Sequence, residues 1–135
     1  MKTYKYNHND GGRLASGFKG KSGDCAIRAM AIACCIPYNE ARSRCKDASA
    51  VGRLGSRATA RGMYKEDFTA ALSKLGWRWF SAPKFEGRKA RGTDMPSGRV
   101  IARMSSHYAA VINGVVNDSW DSSEKMVYGY WGQDT

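Results

Sequence analysis

The chain has 135 residues, 42% of them hydrophobic, with four Trp, seven Tyr and a formal net charge of +10. That is enough apolar surface for one packed domain spanning 1–135, and it excludes disorder as a whole-chain description. No apolar run approaches the roughly 20 residues that span a bilayer, and Met1-Lys2-Thr3-Tyr4-Lys5 leads into polar residues rather than a signal core, so the expectation is a cytoplasmic protein with no membrane partner.

Residues 1–23, with Gly11, Gly12, Gly17, Gly20 and Gly23, read as a loop-rich lead-in. Residues 24–35, DCAIRAMAIACC, carry one charge after Asp24 and predict a mostly buried helix with Asp24 as its N-cap. Pro37 ends that helix or opens the next. Residues 38–48, YNEARSRCKDA, predict a second, exposed helix, and Gly52 and Gly55 break the pattern into a basic loop. In 64–75, YKEDFTAALSKL, the apolar residues Phe68, Ala71, Leu72 and Leu75 recur at i, i+3, i+4 and i+7, the signature of an amphipathic helix. Glu66 and Asp67 suit its first turn and Gly76 its end.

After Gly76 the period changes. Trp77 to Phe80 and Arg99 to Met104 read as strands, with a loop over 83–97. Residues 107–120, HYAAVINGVVNDSW, place two β-rich runs around Asn113-Gly114, a favoured type I′ turn. Val127 to Trp131 reads as a last strand. Helices first and a meander of strands afterwards give an α+β class.

Four cysteines are present: Cys25, Cys34, Cys35 and Cys45. Three lie in or near one predicted helix, so reduced thiols are expected rather than disulfides. Cys34 and Cys35 are adjacent, no CxxC pair occurs and only His8 and His107 are available, which leaves no metal site and no cofactor in the reading. Positive charge concentrates in Arg42, Arg44, Lys46, Arg53, Arg57 and Arg61, with a second group at Lys84, Arg88, Lys89 and Arg91. Such a surface suits an acidic protein or nucleic acid by long-range attraction, or serves solubility alone.

A nucleophilic cysteine needs a helix N-terminus or a nearby imidazole to become a thiolate. Cys25 directly follows the expected cap, where unpaired N–H groups favour negative charge and can face an oxyanion. Cys34, Cys35 and Cys45 lack this placement and read as structural. If the hairpin loop is Asn113-Gly114, Ile112 pairs with Val115, Ala109 faces Asp118 and His107 faces Trp120. Side-chain alternation then puts His107, Asp118 and Trp120 on one face and Asn117 on the other. His107 and Asp118 become diagonal neighbours about 7–8 Å apart at the backbone, within side-chain reach. A one-residue change of loop length would select Asn117 instead. Trp120 is a candidate cleft wall, although a strand Trp more often fills core.

The segments GDCAIRAMAIACCIPYNEA and HYAAVINGVVNDSWD resemble small papain-like cysteine peptidase-fold proteins, many of them encoded by tailed bacteriophages. The match lies in an Asp-Cys-x-x-Arg-Ala helix start and a His-x-x-Ala-Val-x-x-Gly-x-x-x-Asp hairpin, and the resemblance covers about residues 20–121. It implies a papain-like fold in which N-terminal helices, with the nucleophile at a helix start, pack on a C-terminal antiparallel sheet. It also implies Cys25 as nucleophile, His107 as base, Asp118 as the residue orienting the base, and a protein or peptide substrate. Papain-like peptidases often carry a Gln six residues before the cysteine for the oxyanion hole. Here that position is Lys19, so the backbone N–H of Cys25 is left as donor, with Asp24 or Ser22 as further candidates. Two non-enzymatic readings stand beside this one: a basic binding module and an inhibitor of a host enzyme.

Overall fold

The computed structural model describes residues 5–17, 24–50 and 63–133, and within these the class is α+β. In chain order the elements are β1 (Tyr6–His8), α1 (Cys25–Cys34), α2 (Tyr38–Ala50), α3 (Lys65–Ser73), β2 (Trp77–Ser81), a single 3₁₀ turn (Gly92–Asp94), β3 (Arg99–Met104), β4 (His107–Ile112), β5 (Val115–Asp118) and β6 (Val127–Gln133). The six strands form one sheet in the order β1-β5-β4-β3-β6-β2.

The hairpin register is the one counted from the turn: Ile112 lies opposite Val115 and Ala110 opposite Asn117. Asn113 and Gly114 have φ of 51° and 79°, as a type I′ turn requires. A second two-residue turn joins β3 to β4, with Met104 opposite His107 and Ser106 at φ 55°. His107 is therefore the first residue of its strand, beside a tight turn rather than in mid-sheet.

Several expectations need correction. The lead-in is not all loop: Tyr6–His8 forms β1 and pairs in parallel with β5, so the sheet is mixed rather than antiparallel. The strands are also not a simple meander, because β6 returns between β3 and β2. The 38–48 helix is not simply exposed either. Tyr38, Ala41, Cys45, Ala48 and Ser49 are buried, giving α2 an inward face at helical spacing.

Strand alternation divides the core. Ile101, Tyr108, Ala110 and Trp131 meet the helices, packing with Ile27, Met30, Phe68 and Leu72. Val100, Ala102, Met104, Ala109, Val111 and Val116 form the opposite layer, closed by Ala90 and Met95 from the 83–97 connection. The helix side is anchored by aromatics: Trp131 meets Phe68 at 5.1 Å, Trp79 at 4.9 Å and Tyr108 at 5.5 Å between ring centroids. Each such pair adds about 0.5–1.5 kcal/mol to the area it buries. Gly129 on β6 is required by this packing, since a Cβ there would lie 2.2 Å from the Trp79 ring and 2.7 Å from the Phe80 carbonyl. No helix among the described residues is long and apolar enough to cross a membrane.

Candidate active site

Helix α1 packs against β4, and its N-terminus carries Cys25 to the turn end of that strand. The first N–H groups of a helix have no partner within it. Asp24 occupies the N-cap position, yet its side chain makes no capping bond, contrary to expectation. The carboxylate turns inward instead. It is ion-paired with Arg28, one helical turn on, and with Arg13 at 2.9 Å, and it accepts a 2.6 Å bond from the Tyr38 hydroxyl. With Asp24 only 1% exposed, its side chain does not face the cleft beside Cys25. Ser22 and Lys19 lie outside the described residues.

His107 Nε2 lies 2.5 Å from Asp118 Oδ2. The same carboxylate accepts from the Ser122 hydroxyl at 2.8 Å and from the Ser119 N–H at 2.7 Å, and Arg28 Nη2 approaches its other oxygen at 3.6 Å. Asp118 is therefore held from several sides while it holds the imidazole. Its own carboxyl is pushed up by burial, but the His107 bond and charge, Ser122 and Ser119 outweigh this and keep it below the ordinary range. Asn117 points away, as the alternation required, and accepts from Asn7 at 2.8 Å.

With Nε2 taken by Asp118, Nδ1 is the ring nitrogen left for Cys25, which lines the same cleft and lies close enough to His107 to raise the basicity of the imidazole. Burial pulls the His107 pKa down. The Asp118 bond and then the Cys25 contact and charge raise it further, leaving it at about 9. An imidazole of that basicity is cationic at neutral pH and favours an anionic sulfur beside it. Burial is the main cause that pushes Cys34 and Cys45 up to about 12. All four cysteines are free thiols; Cys35, read from sequence as structurally buried, is exposed at the αL residue ending α1.

Trp120 departs from the expected core role. It is 44% exposed and lies across His107, with ring centroids 4.8 Å apart and a 45° tilt. There it shields the His107–Asp118 pair, and exclusion of water strengthens a charged hydrogen bond.

Beside Cys25 opens a cleft of about 620 Å³ whose walls include Met63, Arg103, His107, Tyr108 and Tyr128. The Tyr108 hydroxyl donates to the Met63 carbonyl at 3.0 Å, which fixes that wall. Among the described residues no three His, Cys, Asp or Glu side chains are grouped as metal ligands.

The expected basic surface is described only in part. Arg44 pairs with Glu40 at 3.1 Å on α2, Arg42 and Lys46 are half-buried, and Arg53, Arg57 and Arg61 lie outside the described residues. In the second basic group, Arg88 binds Asp94 at 2.7 Å and Arg91 binds Glu124 at 3.2 Å. Sequence reasoning missed Arg28 and Arg103. For Arg28 the signal was present: an acid four residues before a base, on an otherwise apolar helix.

No family model, curated protein or solved structure matches this chain.

Proposed function

We propose that the chain is a cysteine-dependent acyl hydrolase, a peptidase or isopeptidase, with Cys25 as nucleophile, His107 as acid and base, and Asp118 as the group orienting His107. The papain-like assignment and the phage setting belong to this proposal and rest on the sequence resemblance; a cytoplasmic location belongs to it as the expectation drawn from the polar start of the sequence and its lack of a long apolar run. One observation carries the reading: His107 is bonded to a buried carboxylate, and a thiol at a helix start lines the same cleft beside it.

The chemistry follows from that order. The Cys25 sulfur reacts as the thiolate, with the proton held on His107 as the imidazolium. The Cys25 thiolate attacks a carbonyl carbon and forms a C–S bond, and the oxygen takes up negative charge facing the N–H groups at the start of α1. His107 then gives its proton to the leaving amine as the C–N bond breaks, producing a thioester. Water loses a proton to neutral His107, attacks the thioester and releases the acid and the thiolate. An amine in place of water gives acyl transfer by the same steps.

A peptidyl vinyl sulfone tests this reading, because its addition needs both a thiolate and a proton donor. It is expected to label Cys25 at least 100-fold faster than exposed Cys35, with the sites resolved by peptide mass. Equal labelling of the two cysteines contradicts the reading.

A further inference from the structure

The Cys25 cleft has an electrostatic asymmetry. Among the described residues that line it none is acidic, and the one permanent cation among them is Arg103 on β3. Arg103 lies opposite Tyr108 in the β3–β4 ladder, so both side chains point to the helix side of the sheet. Its guanidinium sits 5.4 Å from the centre of the Tyr128 ring and near enough to the Tyr108 phenol to act on it electrostatically. Cys25 is close enough to Tyr108 to act on the same phenol electrostatically. Arg103 and the thiol therefore flank one tyrosine.

Several other arginines of the described residues are matched with acids: Arg28 with Asp24, Arg44 with Glu40, Arg88 with Asp94 and Arg91 with Glu124. Arg103 has aromatic partners but forms no ion pair among the described residues. A half-buried guanidinium presents a planar fork whose best complement is a carboxylate. A second cleft of about 490 Å³ shares Tyr128 with the first and is lined by the exposed Lys84 and Lys89. A chain that leaves the first cleft across Tyr128 would meet this further basic stretch, which fits an internal acidic side chain better than a chain terminus.

We propose that Arg103 is the specificity residue of the Cys25 cleft and that it binds the carboxylate of an Asp or Glu side chain in an acidic peptide substrate, whose neighbouring residues run over Tyr128 toward Lys84 and Lys89. This rests on the reading of Cys25 and His107 as the reacting pair.

The probes are tripeptidyl vinyl sulfones carrying Glu at one position at a time, each with a Gln counterpart, applied to the full chain at about 50 mM salt. At one position the Glu probe is expected to label Cys25 about 10-fold faster than its Gln partner, a preference worth about 1.4 kcal/mol. The ratio within one protein cancels any change in intrinsic thiol reactivity. Arg103→Gln brings the ratio to about 1, Arg103→Lys keeps part of it, and raising salt to about 0.5 M erodes it in the wild type. Labelling of Cys25 with no Glu preference at any position, or a preference that survives both Arg103→Gln and salt, overturns the inference and leaves the reacting pair intact. Failure of every probe to prefer Cys25 over Cys35 strikes the pair itself.

Discussion

Replacing His107 with alanine is expected to slow vinyl sulfone labelling of Cys25 by at least 100-fold at pH 6, while slowing iodoacetamide alkylation of the same cysteine only about 10-fold. The two probes separate two roles of one imidazole. An ordinary thiol with a pKa of about 8.5 is roughly 0.3% ionised at pH 6. A thiolate held by an imidazolium is ionised in much of the population, a gain of about 100-fold. Lower intrinsic nucleophilicity returns about one order of magnitude of this. Iodoacetamide reads that net gain alone. The vinyl sulfone also needs a proton delivered to carbon, and a positioned general acid contributes about 10²–10⁴-fold. Equal losses with both probes would assign His107 to thiolate stabilisation only. No loss with either would remove it from the chemistry.

The second large effect is on stability. Asp24→Ala is expected to lower the unfolding free energy by about 3–5 kcal/mol, read from urea denaturation. Asp24 is almost fully buried and neutralises Arg28 beneath the helix start, with Arg13 and Tyr38 completing the cluster. Among the described residues, removing it leaves the buried Arg28 guanidinium with only the more distant Asp118 carboxylate at 3.6 Å. Asp24→Asn keeps shape and a hydrogen-bond acceptor for Tyr38 but not the charge, and is expected to lose about half as much. A loss under about 1 kcal/mol for Asp24→Ala would contradict this account of the cluster. The same geometry explains how the fold protects the site. Arg28 is shared between Asp24 and Asp118, so Asp24 keeps a competing cation from drawing Asp118 away from His107.

What the sequence revealed was what local spacing encodes. The Asn113-Gly114 turn fixed the register of β4 and β5, and with it the choice of Asp118 over Asn117. The apolar run after Asp24 and the Phe68–Leu72 spacing marked α1 and α3. What stayed hidden depends on partners distant in the chain. β1 is three residues, YNH, without apolar alternation, and it exists because Tyr6 to His8 pair with Val116 to Asp118. The approach of Cys25 to His107 follows from α1 packing against β4, which no spacing within either segment specifies. Trp120 escaped the core because β5 ends at Asp118. Beyond that point the chain bends, and strand alternation no longer decides where a side chain points.

The central claim is that Cys25 and His107 form one coupled acid–base pair, and an NMR titration of the His107 ring measures it directly. Only His8 and His107 carry imidazoles, so the assignment is simple. Wild-type His107 is expected to titrate with a midpoint near pH 9, well above the ordinary 6.5, and Cys25→Ser is expected to lower that midpoint while Asp118 keeps it above 6.5. A wild-type midpoint near 6.5 that Cys25→Ser leaves unmoved would mean that thiol and imidazole do not interact, and would contradict the account.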